Sequence, residues 1–126
     1  MRPYHRAMNP LPILIVDDDP DLREIIEYCL TPLGRTIVVA DGGESAWALI
    51  QAQPFAVVVS DMSMPGINGL ELLRLIREKG LETPFFLLTG YSDNEHNAKA
   101  KALRASGLLE KPFKEAEIRA AVSKVL

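Results

Sequence analysis

Four short apolar runs in this chain each end in a residue that can handle a metal ion or a phosphoryl group. Ile13-Leu14-Ile15-Val16 runs into Asp17-Asp18-Asp19, and Val57-Val58-Val59-Ser60 runs into Asp61. Phe85-Phe86-Leu87-Leu88 runs into Thr89, and Leu108-Leu109-Glu110 into Lys111. In a parallel α/β sheet such strand ends open on one edge, where these sheets bind ligands. Carboxylates, a hydroxyl and an ammonium gathered there suit a magnesium ion and a phosphoryl group. Two unit charges about 4 Å apart repel by roughly 4 kcal/mol at an effective dielectric of 20, so Asp17, Asp18 and Asp61 call for a cation among them. Capping of a following helix explains Asp19 but not three acids in succession. Asp61 can also act as a nucleophile and form an aspartyl phosphate. The turn pairs Pro65-Gly66 and Asn68-Gly69 wrap a loop around it. Phosphoryl transfer depends on positioning and charge stabilisation; Lys111 supplies a cation and Thr89 a hydroxyl donor. Singly, these residues read as a turn aspartate, a strand-end threonine and a solvated lysine. Their joint placement carries the chemical reading.

Positioning them requires alternating strands and helices. Strands are expected at residues 13–16, 36–39, 57–60, 85–88 and, in short form, 108–109. The first helix carries Leu22, Ile25, Ile26, Cys29, Leu30 and Leu33 at spacings of three and four, one apolar face, and stops at Gly34. The second is marked by Ala46, Leu49 and Ile50, with Trp47 at its flank. The third covers residues 68–79 with Leu73 and Ile76 facing inward. A fourth, capped by Asp93 or Asn94, runs to about Ala105 and carries Lys99, Lys101 and Arg104 but few large apolar residues. Ile118, Ala121, Val122 and Val125 stripe the last. This alternation implies a parallel sheet with helices on both faces and right-handed crossovers.

The bulk composition narrows the class. A chain of 126 residues holds one domain. Its 48% apolar and 25% charged content is ordinary for a globular protein, and a net charge of −3 gives no pull toward nucleic acid or anionic lipid. There is no basic stripe with a recognition helix, so no direct contact with nucleic acid is expected. The single cysteine, Cys29, has no internal disulfide partner and lies on an apolar helix face, which fits burial in a reduced, cytoplasmic setting. Residues 1–10, with Pro3 and Pro10, read as a flexible arm rather than a signal peptide, and no run is long enough for membrane insertion. His5 and His96 have no histidine or cysteine at metal spacing. The weak apolar stripe of the fourth helix suits a loosely docked, moving element.

With these motifs in this order, residues 11–126 resemble the receiver domains of two-component response regulators. The matching stretches are Ile13-Leu14-Ile15-Val16-Asp17-Asp18-Asp19, Asp61-Met62-Ser63-Met64-Pro65-Gly66-Ile67-Asn68-Gly69, Leu87-Leu88-Thr89-Gly90 and Glu110-Lys111-Pro112-Phe113. The resemblance implies a three-layer, doubly wound, five-stranded parallel sheet of order 2-1-3-4-5, the flavodoxin-like and CheY-like fold. It implies that Asp61 accepts phosphate from a sensor kinase histidine. It implies that Asp17, Asp18, Asp61 and the backbone carbonyl of Ser63 hold Mg2+ or Mn2+. Thr89 would bond a phosphoryl oxygen, Lys111 would pair with Asp61 or its phosphate, and Lys111-Pro112 would be a cis peptide. Ser63 and Tyr91 occupy positions that in the family flank the phosphoryl group. Two departures stand out: Leu108 replaces the usual aromatic residue three before the lysine, and Arg104 stands where many relatives have glycine, which suggests a different helix end.

The expected function is a phosphorylation-controlled switch without an output domain, cytoplasmic, and a monomer or phosphorylation-dependent dimer. Its partners would be a sensor histidine kinase or a histidine phosphotransfer protein. A downstream protein would dock through the fourth helix, fifth strand and fifth helix. Such a chain is not an enzyme beyond assisting its own phosphorylation and dephosphorylation. Two other readings remain: a haloacid-dehalogenase-like phosphatase using Asp17 as nucleophile, and a receiver-like interaction module that is not phosphorylated.

Overall fold

The structure, a computed structural model, describes residues 10–90 and 94–126. The expected arm therefore lies outside the described residues except for Pro10, and so do Tyr91 and Asp93. The elements run β1 (Ile13–Val16), α1 (Pro20–Leu30), a 3-10 turn (Thr31–Leu33), β2 (Ile37–Ala40), α2 (Gly43–Ala52), β3 (Val57–Asp61), α3 (Gly69–Glu78), β4 (Phe85–Thr89), α4 (Asn94–Ala102), β5 (Gly107–Glu110) and α5 (Glu115–Ser123). The strands form one parallel sheet in the order β2-β1-β3-β4-β5, the order the resemblance implies.

Side chains on a strand alternate between faces, and here the alternation divides the core. Leu14, Val16, Val58, Phe85 and Leu87 pack with Ala46, Ile50, Leu72, Leu73, Ile76 and Ala100, so α2, α3 and α4 cover one face. Ile13, Ile15, Val57, Val59, Phe86, Leu88 and Leu109 pack with Ile26, Cys29, Leu30, Ile118 and Val122, so α1 and α5 cover the other. Burial on both sides explains why the central strands read as unbroken apolar runs.

Helix ends follow local chemistry. Asp19 caps α1, its carboxylate accepting the Asp21 N–H at 2.9 Å, and Pro20 fills the first turn, where no N–H is needed. α1 stops at Leu30, earlier than expected, because Pro32 has no N–H to continue the ladder. The chain tightens instead into the 3-10 turn, and Gly34, at φ 73°, ends that. Ile25, expected on the apolar face, is 53% exposed. α1 leans on the sheet and α5 through a narrower stripe centred on Ile26, Cys29 and Leu30.

The largest correction concerns Arg104. It does not produce a different helix end: it adopts the left-handed geometry itself, at φ 62°. Its guanidinium pairs with both Glu82 oxygens at 2.9 and 2.8 Å. Its carbonyl accepts from the Arg77 guanidinium at 3.2 Å, which also donates to the Leu103 and Leu81 carbonyls at 2.8 and 2.9 Å. Tertiary hydrogen bonds thus hold a conformation that an L-residue disfavours.

Candidate functional site

The carboxyl ends of β1, β3, β4 and β5 meet at one edge. Pairing runs Ile13 to Val57, Val58 to Phe85 and Phe86 to Gly107, so Asp61 stands beside Leu88, and Thr89 beside Glu110. This stagger brings Asp17, Asp61, Thr89 and Lys111 to the same rim from four different strands.

Asp61 is the last residue of β3 and is 5% exposed. The next residue bends the chain: Met62 N–H donates to the Leu88 carbonyl at 2.8 Å, and Gly69 N–H to the Met62 carbonyl at 3.0 Å. Gly69 opens α3 directly against the Asp61 carbonyl and Leu87, so a Cβ there has no room. The cap on α3 is reciprocal: Asn68 Oδ1 accepts the Glu71 N–H and Glu71 Oε1 accepts the Asn68 N–H, each at 2.9 Å. Residues 62–68 therefore leave and re-enter regular structure at defined points beside Asp61.

Lys111 reaches back to this carboxylate, its Nζ lying 2.7 Å from Asp61 Oδ1. Its backbone N–H donates to the Thr89 carbonyl at 2.7 Å, and the Lys111–Pro112 peptide is cis. Thr89 is buried at the end of β4.

Asp17 is wholly buried. Its Oδ1 accepts the Asp19 N–H at 2.9 Å, while Oδ2 is buried without a partner. Burial pushes its carboxyl up from 3.8 to about 6, and the Asp61 and Asp18 charges push the same way, against the Asp19 N–H and the Lys111 ammonium. Asp18 is exposed, and one oxygen from each of Asp17, Asp18 and Asp61 lies within 4.8 Å of the others. A buried carboxylate oxygen with no donor, on a residue clustered with two more carboxylates, is a poor end state for an apo site and a good one for an oxygen-seeking divalent cation.

The remaining expected residues fall differently. Ser63 is exposed and lines an open cleft of about 550 Å³ with Met62, Met64, Pro65, Asn68 and His96. Leu108 is half-buried two residues below the edge, beside Leu87 in the sheet and against the core layer that holds Ala100. Tyr91 lies outside the described residues. Sequence reasoning passed over Arg23, whose Nη1 donates to the Asp17 carbonyl at 2.8 Å. No local pattern marks an arginine on α1 for that contact. His96, which has no histidine or cysteine at metal spacing in the sequence, is brought by the fold beside the Asp61 loop.

The family model for the response regulator receiver domain matches residues 13–123. Among curated proteins, the probable transcriptional regulatory protein SilR of Salmonella typhimurium is 35% identical across 90% of this chain and 50% of its own length. A 14.6 kDa protein of Leptolyngbya boryana is 34% identical across 90% of this chain and 88% of its own. Against the response regulator FleR of Pseudomonas aeruginosa, at 36% identity, the chain spans 80% of itself but only 21% of the relative. It thus covers half or less of the length of two of these three. Among solved structures, the chemotaxis protein CheY4 of Vibrio cholerae superposes with a TM-score of 0.84 at 30% identity, covering 93% of this chain and 99% of that one. The receiver domain of Francisella response regulator 1452 gives 0.85 at 27% identity, covering 91% and 95%.

Proposed function

The chain belongs to the response regulator receiver domain family, and on that premise we propose that Asp61 accepts a phosphoryl group from the phosphohistidine of a sensor kinase or a histidine phosphotransfer protein. The observation that carries this assignment is the setting of Asp61, a buried strand-end carboxylate held at 2.7 Å by Lys111 and within 4.8 Å of Asp17 and Asp18. An Asp61 oxygen attacks phosphorus, the P–O bond forms as the P–N bond breaks, and the imidazole leaves with the bonding pair. The product is an acyl phosphate on the protein.

Each neighbour has a task in that transfer. Asp17, Asp18, Asp61 and the Ser63 carbonyl would hold Mg2+ or Mn2+, which neutralises charge on the phosphoryl oxygens when bound. The orphaned Asp17 Oδ2 supports this donor set. Lys111 orients the Asp61 carboxylate before transfer and follows the phosphoryl charge afterwards. The Thr89 hydroxyl donates to a phosphoryl oxygen, drawing the end of β4 toward Asp61. Ser63 and Tyr91 tune how readily water reaches the phosphate. Leu108, smaller than an aromatic residue, moves less in the switch. The readout is a change in protein binding at α4, β5 and α5, in the manner of a two-state equilibrium biased by one charged group. A cytoplasmic location belongs to the same proposal; among the described residues no helix is long and apolar enough to cross a membrane.

Intact-mass spectrometry after incubation with magnesium and acetyl phosphate tests the assignment. One added phosphoryl group on the parent, absent from Asp61→Asn, is expected. An adduct that persists in Asp61→Asn but disappears in Asp17→Asn would transfer the nucleophile to Asp17 and overturn it.

A further inference from the structure

Residues 62–68 carry the Ser63 carbonyl assigned above to the metal, yet they lie in no helix or strand. Their two ends are closed by the Gly69 N–H on the Met62 carbonyl and the Asn68 N–H on Glu71, and the Met62 N–H is tied to Leu88 of β4. Just before its second end the loop is also held from α2. The Ile67 N–H donates to Glu44 Oε2 at 3.0 Å, from the first turn of α2 and 23 residues away in sequence.

Two glycines shape that contact. Gly43 presses against the Ile67 carbonyl and side chain, where any Cβ would collide. Gly66 has φ 73°, and the Glu44 carboxylate fills the room that a Cβ on Gly66 would need. The dipole of α2 favours an acid in its first turn wherever that acid points. It does not aim the carboxylate at an amide of another unit, and it does not call for a glycine on each side of the contact.

We propose that Glu44 is a positioning residue for the metal and phosphoryl site: its carboxylate clamps the Ile67 amide and so holds the 62–68 loop, with the Ser63 carbonyl, in a shape ready for the ion. The inference rests on the function proposed above. A donor loop already in place loses less freedom when the ion binds, and affinity rises accordingly. Glu44 itself touches neither the ion nor the phosphoryl group.

The test compares the parent, Glu44→Ala and Glu44→Gln. Glu44 is exposed, so both variants keep the core intact. Glutamine keeps an acceptor oxygen for the Ile67 amide but loses the charge. Titration calorimetry with magnesium chloride reads affinity, and hydrogen exchange at the Ile67 amide reads the clamp without metal. Glu44→Ala is expected to raise the magnesium Kd about five- to tenfold and to speed Ile67 exchange. Glu44→Gln is expected to stay within about twofold of the parent in both. Glu44→Ala binding as tightly as the parent overturns the clamp. Glu44→Gln binding as weakly as Glu44→Ala also overturns it, because the effect is then long-range charge. A parent that binds no magnesium sinks the proposed function and the clamp with it, a result distinct from either of those.

Discussion

Asp17 sets the pH behaviour of the site. Its carboxyl titrates at about 6 in the folded protein against an ordinary 3.8, chiefly because it is buried. A folded-state value above the unfolded one means that the native protein binds the proton more tightly. The resulting stability is fully present below about pH 3.8 and is lost as the pH rises through about 6. At neutral pH the ionised Asp17 of the metal-free protein therefore destabilises the fold, by on the order of 3 kcal/mol. Asp17→Asn keeps an oxygen for the Asp19 N–H and replaces the unpartnered buried Oδ2 with an uncharged amide. Metal-free Asp17→Asn should melt above the parent at pH 7, and the gain should shrink to nothing near pH 4. Thermal unfolding followed by circular dichroism across that range in the presence of a chelator checks this. A variant that melts below the parent at pH 7 would mean that Asp17 is not strained in the apo site. Magnesium affinity should weaken below about pH 6, because the proton and the ion compete for the same carboxylate.

At the scale of elements, the turn that follows α4 is fastened by hydrogen bonds from α3. Ala100 is the one fully buried residue of α4 among those described, whereas Arg77 on α3 ties the Leu103 and Arg104 carbonyls at the turn into β5. Arg77→Ala removes a charged donor from three carbonyls and should cost about 3 kcal/mol, measurable by urea unfolding. Arg104→Gly should act in the opposite direction. It relieves the left-handed backbone at φ 62° and gives up only an exposed ion pair with Glu82. Its melting midpoint should rise by a few degrees, and a fall would show that the Glu82 pair outweighs the backbone strain. The N-terminal part of α4 borders the cleft that His96 shares with Ser63.

For the whole molecule, the metal site proposed above would link ion binding to folding. An ion that binds only the native state stabilises it by about 2.7 kcal/mol at one hundred times its Kd. For a domain of this size that raises the midpoint by roughly 10 °C. Magnesium should produce such a concentration-dependent rise in the parent at pH 7.5 and little or none in Asp17→Asn; a rise of equal size in both would place the ion elsewhere. Much of the fold was legible in the chain itself. Buried parallel strands are short apolar runs, and surface helices repeat every three to four residues, so both leave a local imprint. The strand-end positions of Asp17, Asp61, Thr89 and Lys111 were legible for the same reason, since each follows an apolar run directly or after one polar residue. What the chain did not reveal depends on partners remote in sequence. The exposure of Ile25 was set by how α1 meets the sheet and α5. The left-handed Arg104 is held by Arg77 across 27 residues and by Glu82 across 22. Glu44 reaches the Ile67 amide across 23. Periodicity and turn chemistry act over a few residues, so they determined the elements and the residues at their ends. Only packing brings distant groups to within 3 Å of one another, and packing alone decided which side chains hold the Asp61 loop and the end of α4.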